Sequence, residues 1–357
     1  MRQIGPKGDA RGTPECSLPD LFRSAPSLIQ IVQGLLQAML PVELKEGRLV
    51  SVGECMVELA RKPDGSFGMA YGGDTFNTAV YLARAGVSTA YATALGDDPY
   101  SLEIRRLAET EGLAADLIVE LAGRMPGLYL IETREGERSF WYWRDRAAAR
   151  ELFESSEAPR IVQGLEDAAV IYFSGVTLSL YSDRGLDLFC RSLESARTRG
   201  AIIAMDSNYR PRGWAGRTDK ARHVFERFWR LSHIALPTFD DEQMLWGDAT
   251  PAATFERLKM LNVPEIVVKL GSDGASIGDG YGRIEQVRVG KAVVPVDTTA
   301  AGDAFNAAYL AARVGGAPPG AAAALGHELA GVVVQHPGAI IPREATQTVL
   351  SRPPFVA

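Results

Sequence analysis

The sequence predicts an α/β protein built on a mainly parallel sheet with helices on both faces, in three α/β/α layers. Short apolar runs such as LVSVG, AAVIYFSG, AIIAMD and EIVVKL alternate with helical segments along most of the chain. Continuous apolar strands separated by helices are typical of parallel sheets that are buried on both faces. The 357 residues are enough to bury the core of one large domain.

The start of the chain differs from the rest. It opens with a polar stretch rich in Gly and Pro and continues with the apolar run SLIQIVQGLLQAML. This run is too short to span a bilayer, and no basic region adjoins it as in a secretory signal. We therefore expect a flexible extension with one short helix over residues 1–47, followed by one folded domain over residues 48–357.

Regular alternation starts at Leu49. The order strand, helix, strand, helix is predicted by LVSVG, TFNTAVYLARAG, STAYATALG and PYSLEIRRLAETEG, with the first helix ending at Gly86. Glycine favours that position because it adopts positive φ without strain. A later segment, GLYLIETREGERSFWYWR, shows period-2 alternation instead and predicts a β-hairpin with its turn at residues 134–136.

The predicted hairpin is rich in aromatic residues on both faces. Strand geometry places Phe140, Tyr142 and Arg144 on one face of the hairpin. It places Ser139, Trp141 and Trp143 on the other face. A hairpin inserted into an α/β chain often forms a lid or a dimer surface. We therefore expect both faces to be covered.

Composition limits the classes of function. The net charge of -6 argues against nucleic acid or an anionic membrane as the main partner. The cysteines Cys16, Cys55 and Cys190 are scattered without a CxxC motif, which fits a reducing cytoplasm. The four histidines lack the spacing of zinc ligands, so a zinc site is not expected.

The turn DTTAAGD, residues 297–303, is the most informative stretch because an Ala-rich helix follows it directly. The free N–H groups and positive dipole end of a helix start bind anions such as phosphate. Asp303 would repel a bound anion, so its carboxylate indicates a group that accepts a proton or orients an attacking hydroxyl. Alternatively, Asp303 only stabilises its own helix.

Polar residues follow several predicted strands at the edge where ligands bind in open parallel sheets. These strand ends carry Ser174, Gly175, Asp206, Asn208, Arg210, Arg212 and Gly271. Each alone is explained by turn chemistry, but their joint placement favours a site. In GGDTFN, paired glycines allow close backbone approach and Asp74 is suited to cap a helix. Capping does not explain Asn77, a mediocre helix former.

Two nucleotide-binding fingerprints are missing from the sequence. No GxxxxGK[ST] motif occurs, which excludes a P-loop protein, and no GxGxxG follows the first strand. The second absence counts against a dinucleotide-dependent oxidoreductase of the same fold class.

Taken together, these segments resemble the ribokinase-like (PfkB) carbohydrate kinases from about Leu49 to Arg343. GGDTFNTAVYLARAG is similar to the family's N-terminal signature, and DTTAAGDAFNAAYLAARVGG to its C-terminal one. Within the family, GECMVEL, GERSFWYWRDRAAAR, YFSGVTLSL, DSNYRPRGW, DDEQMLWG and GAIIPREA resemble the branch that acts on the acid sugar 2-dehydro-3-deoxygluconate. The resemblance implies a ribokinase-like fold with a small β lid from about 56–72 and 127–144.

The resemblance also implies residue roles. Asp303 would be the catalytic base, with an anion hole formed by the N–H groups of Ala300, Ala301, Gly302 and Asp303. The implied substrate-binding residues are Gly72, Gly73, Asn77, Tyr129, Tyr142, Arg144, Arg210 and Asp303. The implied ATP-site residues are Lys269, Gly271, Gly274 and Thr298, with Asp241 as a water-mediated ligand of Mg²⁺.

The implied activity is ATP- and Mg²⁺-dependent phosphorylation of the 6-hydroxyl of 2-dehydro-3-deoxy-D-gluconate, in acid-sugar catabolism. The guanidinium groups of Arg144 and Arg210 would hold the substrate carboxylate and aim the far hydroxyl at the γ-phosphate. We expect a cytoplasmic homo-oligomer, dimeric through the lid or larger, without nucleic-acid or membrane partners. The alternatives are a fructokinase or another sugar kinase of the family, and a sugar-binding protein that has lost catalysis.

Two positions depart from the family pattern. Ala300 stands where the family commonly has Gly, and we expect the anion hole to survive if the backbone needs no positive φ there. The family's NxxE motif, linked to magnesium placement, appears here as residues 238–241 (TFDD). Since Asp241 is shorter than Glu, Asp240 and Glu242 are alternative carboxylates for the metal.

Overall fold

The computed structural model describes Met1 and residues 46–62, 64–134, 137–279, 284–291 and 293–355. Leu44–Ala357 form one compact unit. The predicted extension over residues 1–47 falls almost entirely outside the described residues, and so does part of the hairpin turn at residues 134–136. Both remain predictions.

Thirteen strands lie in the described part of the chain. They are β1 Leu49–Val52, β2 Met56–Arg61, β3 Phe67–Gly72, β4 Thr89–Leu95, β5 Ile118–Glu120, β6 Leu128–Arg134, β7 Glu137–Trp143, β8 Val170–Ser174, β9 Ile202–Asp206, β10 Ile234–Ala235, β11 Glu265–Lys269, β12 Ala275–Asp279 and β13 Ile284–Val287.

The same described residues contain eleven α-helices. They are α1 Asp74–Arg84, α2 Pro99–Thr110, α3 Ala158–Glu166, α4 Gly175–Leu180, α5 Asp183–Thr198, α6 Thr218–Trp229, α7 Phe239–Trp246, α8 Pro251–Met260, α9 Ala301–Val314, α10 Pro319–Val333 and α11 Arg343–Leu350. None of them combines the length and apolar character needed to cross a membrane.

A nine-stranded sheet forms the centre of the molecule, in the order β13-β12-β11-β10-β9-β8-β1-β4-β5. Its pairings are parallel except β11–β12 and β12–β13, which are antiparallel. The strands β1, β4, β8 and β9 are buried along their whole length, as expected where both faces of a sheet are covered. The prediction of a mainly parallel α/β sheet is confirmed.

A second, four-stranded sheet has the order β3-β2-β6-β7 and is called the lid sheet here. Its register places Met69, Leu59, Leu130 and Trp141 in one cross-strand row on the outer face. The adjacent row of Ala70, Glu58, Tyr129 and Tyr142 belongs to the inner face. Glu58 and Tyr129 are buried, so the two faces of the lid sheet differ in environment.

Candidate active site

The turn at residues 297–303 leads into α9, and Asp303 lies in the first turn of that helix. The N–H of Ala301 donates to the carbonyl oxygen of Thr298 over 3.3 Å. Within the described part of the chain, the N–H groups of Ala300, Gly302 and Asp303 have no such backbone acceptor. These three donors therefore lie at the positive end of the helix and are available to an anion.

Ala300 corrects one expectation from the sequence. It is the N-cap residue of α9 and has φ 61 and ψ 13, in the left-handed region, so this position does require positive φ. An L-residue with a Cβ atom pays about 1–2 kcal/mol in that region relative to glycine. The N–H group of Ala300 is retained, and the strained conformation lowers the stability of the turn.

The carboxylate of Asp297 fixes the shape of this turn. Its Oδ1 accepts a 2.8 Å hydrogen bond from the N–H of Thr299, and its Oδ2 accepts one of 2.8 Å from the N–H of Gly338. Asp297 is buried. The turn before α9 is thereby tied to the loop that follows α10.

Asn77, whose presence in a helix the sequence left unexplained, contacts Asp303. Its Nδ2 donates to Asp303 Oδ2 over 2.8 Å, and Thr78 Oγ1 donates to the carbonyl oxygen of Asp303 over 3.2 Å. Burial raises the pKa of Asp303 to about 8, and the charge of Asp74 adds to this effect while the hydrogen bond from Asn77 opposes it. Asp303 therefore has the raised proton affinity expected of a general base.

The expectation that Asp74 caps α1 was wrong. The helix begins at Asp74 itself, and Gly73 is its N-cap without a side-chain hydrogen bond. The carboxylate of Asp74 instead accepts hydrogen bonds from Ser174 Oγ at 2.5 Å and Asn208 Nδ2 at 2.6 Å. The start of α1, the end of β8 and the loop after β9 thus meet at this carboxylate.

The two glycines before α1 allow close approach of the backbone. A Cβ atom on Gly73 would lie 2.0 Å from the carbonyl oxygen of Glu54, so only glycine fits. A Cβ atom on Gly72 would lie 3.3 Å from Asn77 Oδ1 and 3.4 Å from the hydroxyl oxygen of Tyr129. Gly72, Asn77 and Tyr129 therefore lie together, beside Asp303.

Buried polar side chains form a network at the carboxyl ends of β8, β9 and β11. Lys269 Nζ donates to Asp206 Oδ2 over 2.9 Å and to Asn306 Oδ1 over 3.0 Å. Asn306 Nδ2 in turn donates to Asp206 Oδ2 over 2.7 Å and to the hydroxyl of Tyr172 over 3.0 Å. This network connects three strands with α9.

The inner face of the lid sheet contributes Tyr129 and Tyr142. Their rings stack with centroids 6.0 Å apart, and the hydroxyl of Tyr129 donates to Glu58. Arg212 Nη1 donates to the carbonyl oxygen of Phe140 over 2.9 Å, which links the loop after β9 to the lid sheet. The lid sheet is therefore connected to the loop that follows β9.

The two predicted arginines are held by different carboxylates. Arg144 pairs with Glu54, which is buried, and burial raises the pKa of Glu54 more than Arg144 lowers it. Arg210 Nη1 lies 3.1 Å from Asp241 Oδ1, and the side chain of Arg210 is 56% exposed. An arginine has five N–H donors, so both can keep these partners and still bind a substrate carboxylate.

Asp241 remains the best-placed carboxylate for a metal at the predicted motif. Its Oδ2 accepts a hydrogen bond of 3.2 Å from the N–H of Tyr209, and burial raises its pKa to about 6. The alternatives differ: Asp240 is exposed, and buried Glu242 pairs with Arg257 at 2.5 Å. In the described part of the chain, no three His, Cys, Asp or Glu side chains cluster around a possible metal position.

The predicted ATP-site glycines have conformations that favour glycine. Gly271 has φ 59 and Gly274 has φ 102, both in the region that other residues rarely adopt. A Cβ atom on Gly274 would lie 2.2 Å from the carbonyl oxygen of Val287. The loop that follows Lys269 at the end of β11 therefore makes a tight turn.

Glu54, Glu58 and Asn306 were not predicted from the sequence. Glu54 and Glu58 hold Arg144 and Tyr129, and Asn306 holds Lys269. The available signal was a charged or amide side chain inside an otherwise apolar run, since such residues are rarely buried without a partner.

Residues 46–346 match the family described as pfkB family carbohydrate kinase, so the protein is a sugar kinase. The chain belongs to the pfkB family. The chain is 39% identical over 302 residues to 2-dehydro-3-deoxygluconokinase of Dickeya dadantii, covering 82% of this chain and 96% of that protein. It is 36% identical over 304 residues to the Haemophilus influenzae protein of the same name, covering 84% and 96%.

Solved structures share the fold. The 2-dehydro-3-deoxygluconokinase of Thermotoga maritima superposes with a TM-score of 0.72 at 21% identity, covering 86% of this chain and 100% of that one. Fructokinase from Xylella fastidiosa with bound ATP superposes with a TM-score of 0.72 at 21% identity, covering 85% and 97%. The ribokinase-like fold expected from the sequence is confirmed.

Proposed function

We propose that this enzyme transfers the γ-phosphoryl group of ATP to the 6-hydroxyl of 2-dehydro-3-deoxy-D-gluconate. The assignment of this substrate rests on the 36–39% identity to enzymes named for it, over 82–84% of the chain. Fructokinases are more distant, with 28% identity for the rice protein over 73% of the chain. The predicted alternative of a fructokinase is therefore less well supported.

The site supports a transfer with Asp303 as base. In the reaction, the substrate oxygen forms a bond to the γ-phosphorus, the bond from that phosphorus to the bridging oxygen of ADP breaks, and the hydroxyl proton passes to Asp303. The N–H groups of Ala300, Gly302 and Asp303 would stabilise the charge on the transferred group. An intact base and donor set argues against the alternative of a binding protein without catalysis.

The substrate would lie under the inner face of the lid sheet. Gly72, Gly73 and Asn77 would contact its hydroxyl groups, with Tyr129 and Tyr142 packed above. Arg144 and Arg210 would hold its carboxylate, each contact contributing about 1.5–3 kcal/mol. Holding the carboxylate at one end leaves the 6-hydroxyl at the other end facing Asp303.

ATP and Mg²⁺ are the implied co-substrate and metal. Lys269, Gly271, Gly274 and Thr298 would border the nucleotide. Magnesium usually binds one or two carboxylates together with substrate phosphates and waters, and it neutralises phosphate charge when bound. Both oxygens of Asp241 already accept a hydrogen bond, which fits contact through water better than direct coordination.

We further propose a cytoplasmic enzyme that dimerises through the outer face of the lid sheet. On that face Trp141 is 52% and Trp143 60% exposed, beside exposed Phe67 and Met69; burying such a patch is favourable. The cysteines Cys55 and Cys190 are free and buried, as suits a reducing compartment. Light scattering of Trp141→Lys should show monomers where the unmodified protein is dimeric; an unmodified monomer would contradict the dimer.

The direct test of the activity is product analysis with purified enzyme and ATP. We expect 2-dehydro-3-deoxy-6-phosphogluconate, with phosphorus coupled to the C6 protons in the NMR spectrum. Phosphate on another hydroxyl would contradict the proposed orientation of the substrate.

A further inference from the structure

We propose that Lys269, positioned by Asp206 and Asn306, acts on the phosphoryl group during transfer rather than on the binding of ATP. The proposal rests on the kinase function above and assigns a different role to a residue expected to border the nucleotide. Asp206 and Asn306 become positioning residues that act through Lys269.

The ammonium group of Lys269 has a geometry that leaves one donor for a ligand. Two of its three N–H donors are taken by Asp206 Oδ2 at 2.9 Å and Asn306 Oδ1 at 3.0 Å. In the described residues no acceptor contacts the third donor. Since an ammonium has three donors and no acceptor, one donor remains for a ligand.

The ammonium group of Lys269 also lies close to the start of α9. A Cβ atom built on Gly302 would lie 3.8 Å from Lys269 Nζ, and Gly302 provides one of the free N–H groups at the start of α9. The ammonium therefore lies beside the anion hole. A cation there adds to the charge stabilisation that the backbone donors provide.

Lys269 is held in place by buried neighbours. Lys269 is buried, as are Asp206 and Asn306, and Asn306 is fixed in turn by the hydroxyl of Tyr172 at 3.0 Å. A lysine that only attracted a nucleotide from solvent would not need this support. A fixed cation acts on the transition state without reorganisation.

Titratable and polar groups that act on Asp303 lie on four elements. These groups are Asp74, Asn77 and Tyr81 from α1, Tyr172 from β8, Asp206 from β9 and Lys269 from β11. Lys269 lowers the pKa of Asp303, whereas Asp206 raises it. The two members of this ion pair therefore act on the base in opposite directions.

The kinetic test compares Lys269→Met with unmodified enzyme. We expect kcat to fall about 100-fold or more, the scale for loss of one transition-state donor, with less than about a threefold change in Kd for a non-hydrolysable ATP analogue. Asn306→Leu should show the same pattern more weakly. A large loss of analogue binding with kcat preserved would overturn the proposal, as would no change in either.

The matched control is Tyr309→Phe. The hydroxyl of Tyr309 also joins α9 to β11, through Glu265 at 2.6 Å, but it lies at the opposite end of the strand from Lys269. We expect kcat to stay within about twofold of the unmodified enzyme, because this bond is structural and contributes about 1 kcal/mol to stability. An equal loss in both variants would mean that Lys269 only stabilises the fold.

The second readout is the pH dependence of kcat/KM. Lys269→Met should move the acid limb to higher pH, and Asp206→Asn should move it to lower pH. Shifts in the same direction would overturn the proposal, because general damage to the site would not move the acid limb in opposite directions in the two variants. If Lys269→Met does not fold, Asp206→Asn and Asn306→Leu carry the test. Failure of the kinase function is separate: unmodified enzyme would then turn over no sugar with ATP.

Discussion

The side-chain amide of Asn77 donates a 2.8 Å hydrogen bond to the carboxylate of Asp303, across 226 residues of sequence. The bond joins the start of α1 to the start of α9, so the two family signatures form one site. It also fixes one oxygen of Asp303. The remaining oxygen is left to receive the proton of the substrate hydroxyl.

Replacing Asp303 by Asn should remove the proton acceptor while keeping its shape. We expect kcat to fall about 10²–10⁴-fold, the usual contribution of a general base, with KM for the sugar changed little. Steady-state kinetics measures both values. Turnover within tenfold of the unmodified enzyme would exclude Asp303 as the base.

Asn77→Ala should shift the pH profile upward. The pKa of Asp303 is raised to about 8, and the hydrogen bond from Asn77 favours the ionised form. Removing this bond favours the protonated form, so the acid limb of kcat/KM should move to higher pH. A limb that stayed in place, or moved to lower pH, would contradict the assignment of that limb to Asp303.

Arg210→Met should weaken binding of the acid sugar by about 10-fold or more, from the 1.5–3 kcal/mol of a charge-assisted contact. The side chain is more than half exposed, so the fold should tolerate the change. KM for 2-dehydro-3-deoxygluconate should rise, while any turnover of fructose should not change. Arg146→Met, at another exposed arginine, is the control; equal effects would mean a non-specific charge effect.

Ala300→Gly should stabilise the protein by about 0.5–1 kcal/mol, because relief of the left-handed strain exceeds the added entropy of the unfolded chain. Ala301→Gly, the next residue and the first in the helix, should instead destabilise it by about 0.5–1 kcal/mol. Chemical denaturation measures both. Equal signs for the two variants would show that Ala300 is not strained in solution.

Much of the fold followed from apolar patterns. The strands β1, β4, β8 and β9 are buried along their whole length, so most of their residues are apolar, and this left a readable signal in the sequence. Gly86 has φ 83 and ends α1 as expected. The segment HIALPT gave only the two-residue strand β10, since pairing depends on neighbouring strands that local sequence does not specify.

The site was less readable because its contacts are long-range. Asn77 was marked as unexplained, and only the structure brought it to Asp303. The sequence indicated that Asp74 caps a helix, but its carboxylate instead accepts hydrogen bonds from Ser174 and Asn208. The conformation of Ala300 was equally hidden, since alanine gives no local signal for positive φ.

Comparison of substrates under identical conditions tests the central claim most directly. Purified enzyme with ATP and Mg²⁺ should be assayed with 2-dehydro-3-deoxygluconate, fructose and ribose, measuring kcat/KM for each. We predict that the acid sugar has the highest value and yields the 6-phosphate. A higher kcat/KM for fructose or ribose would contradict the proposed function.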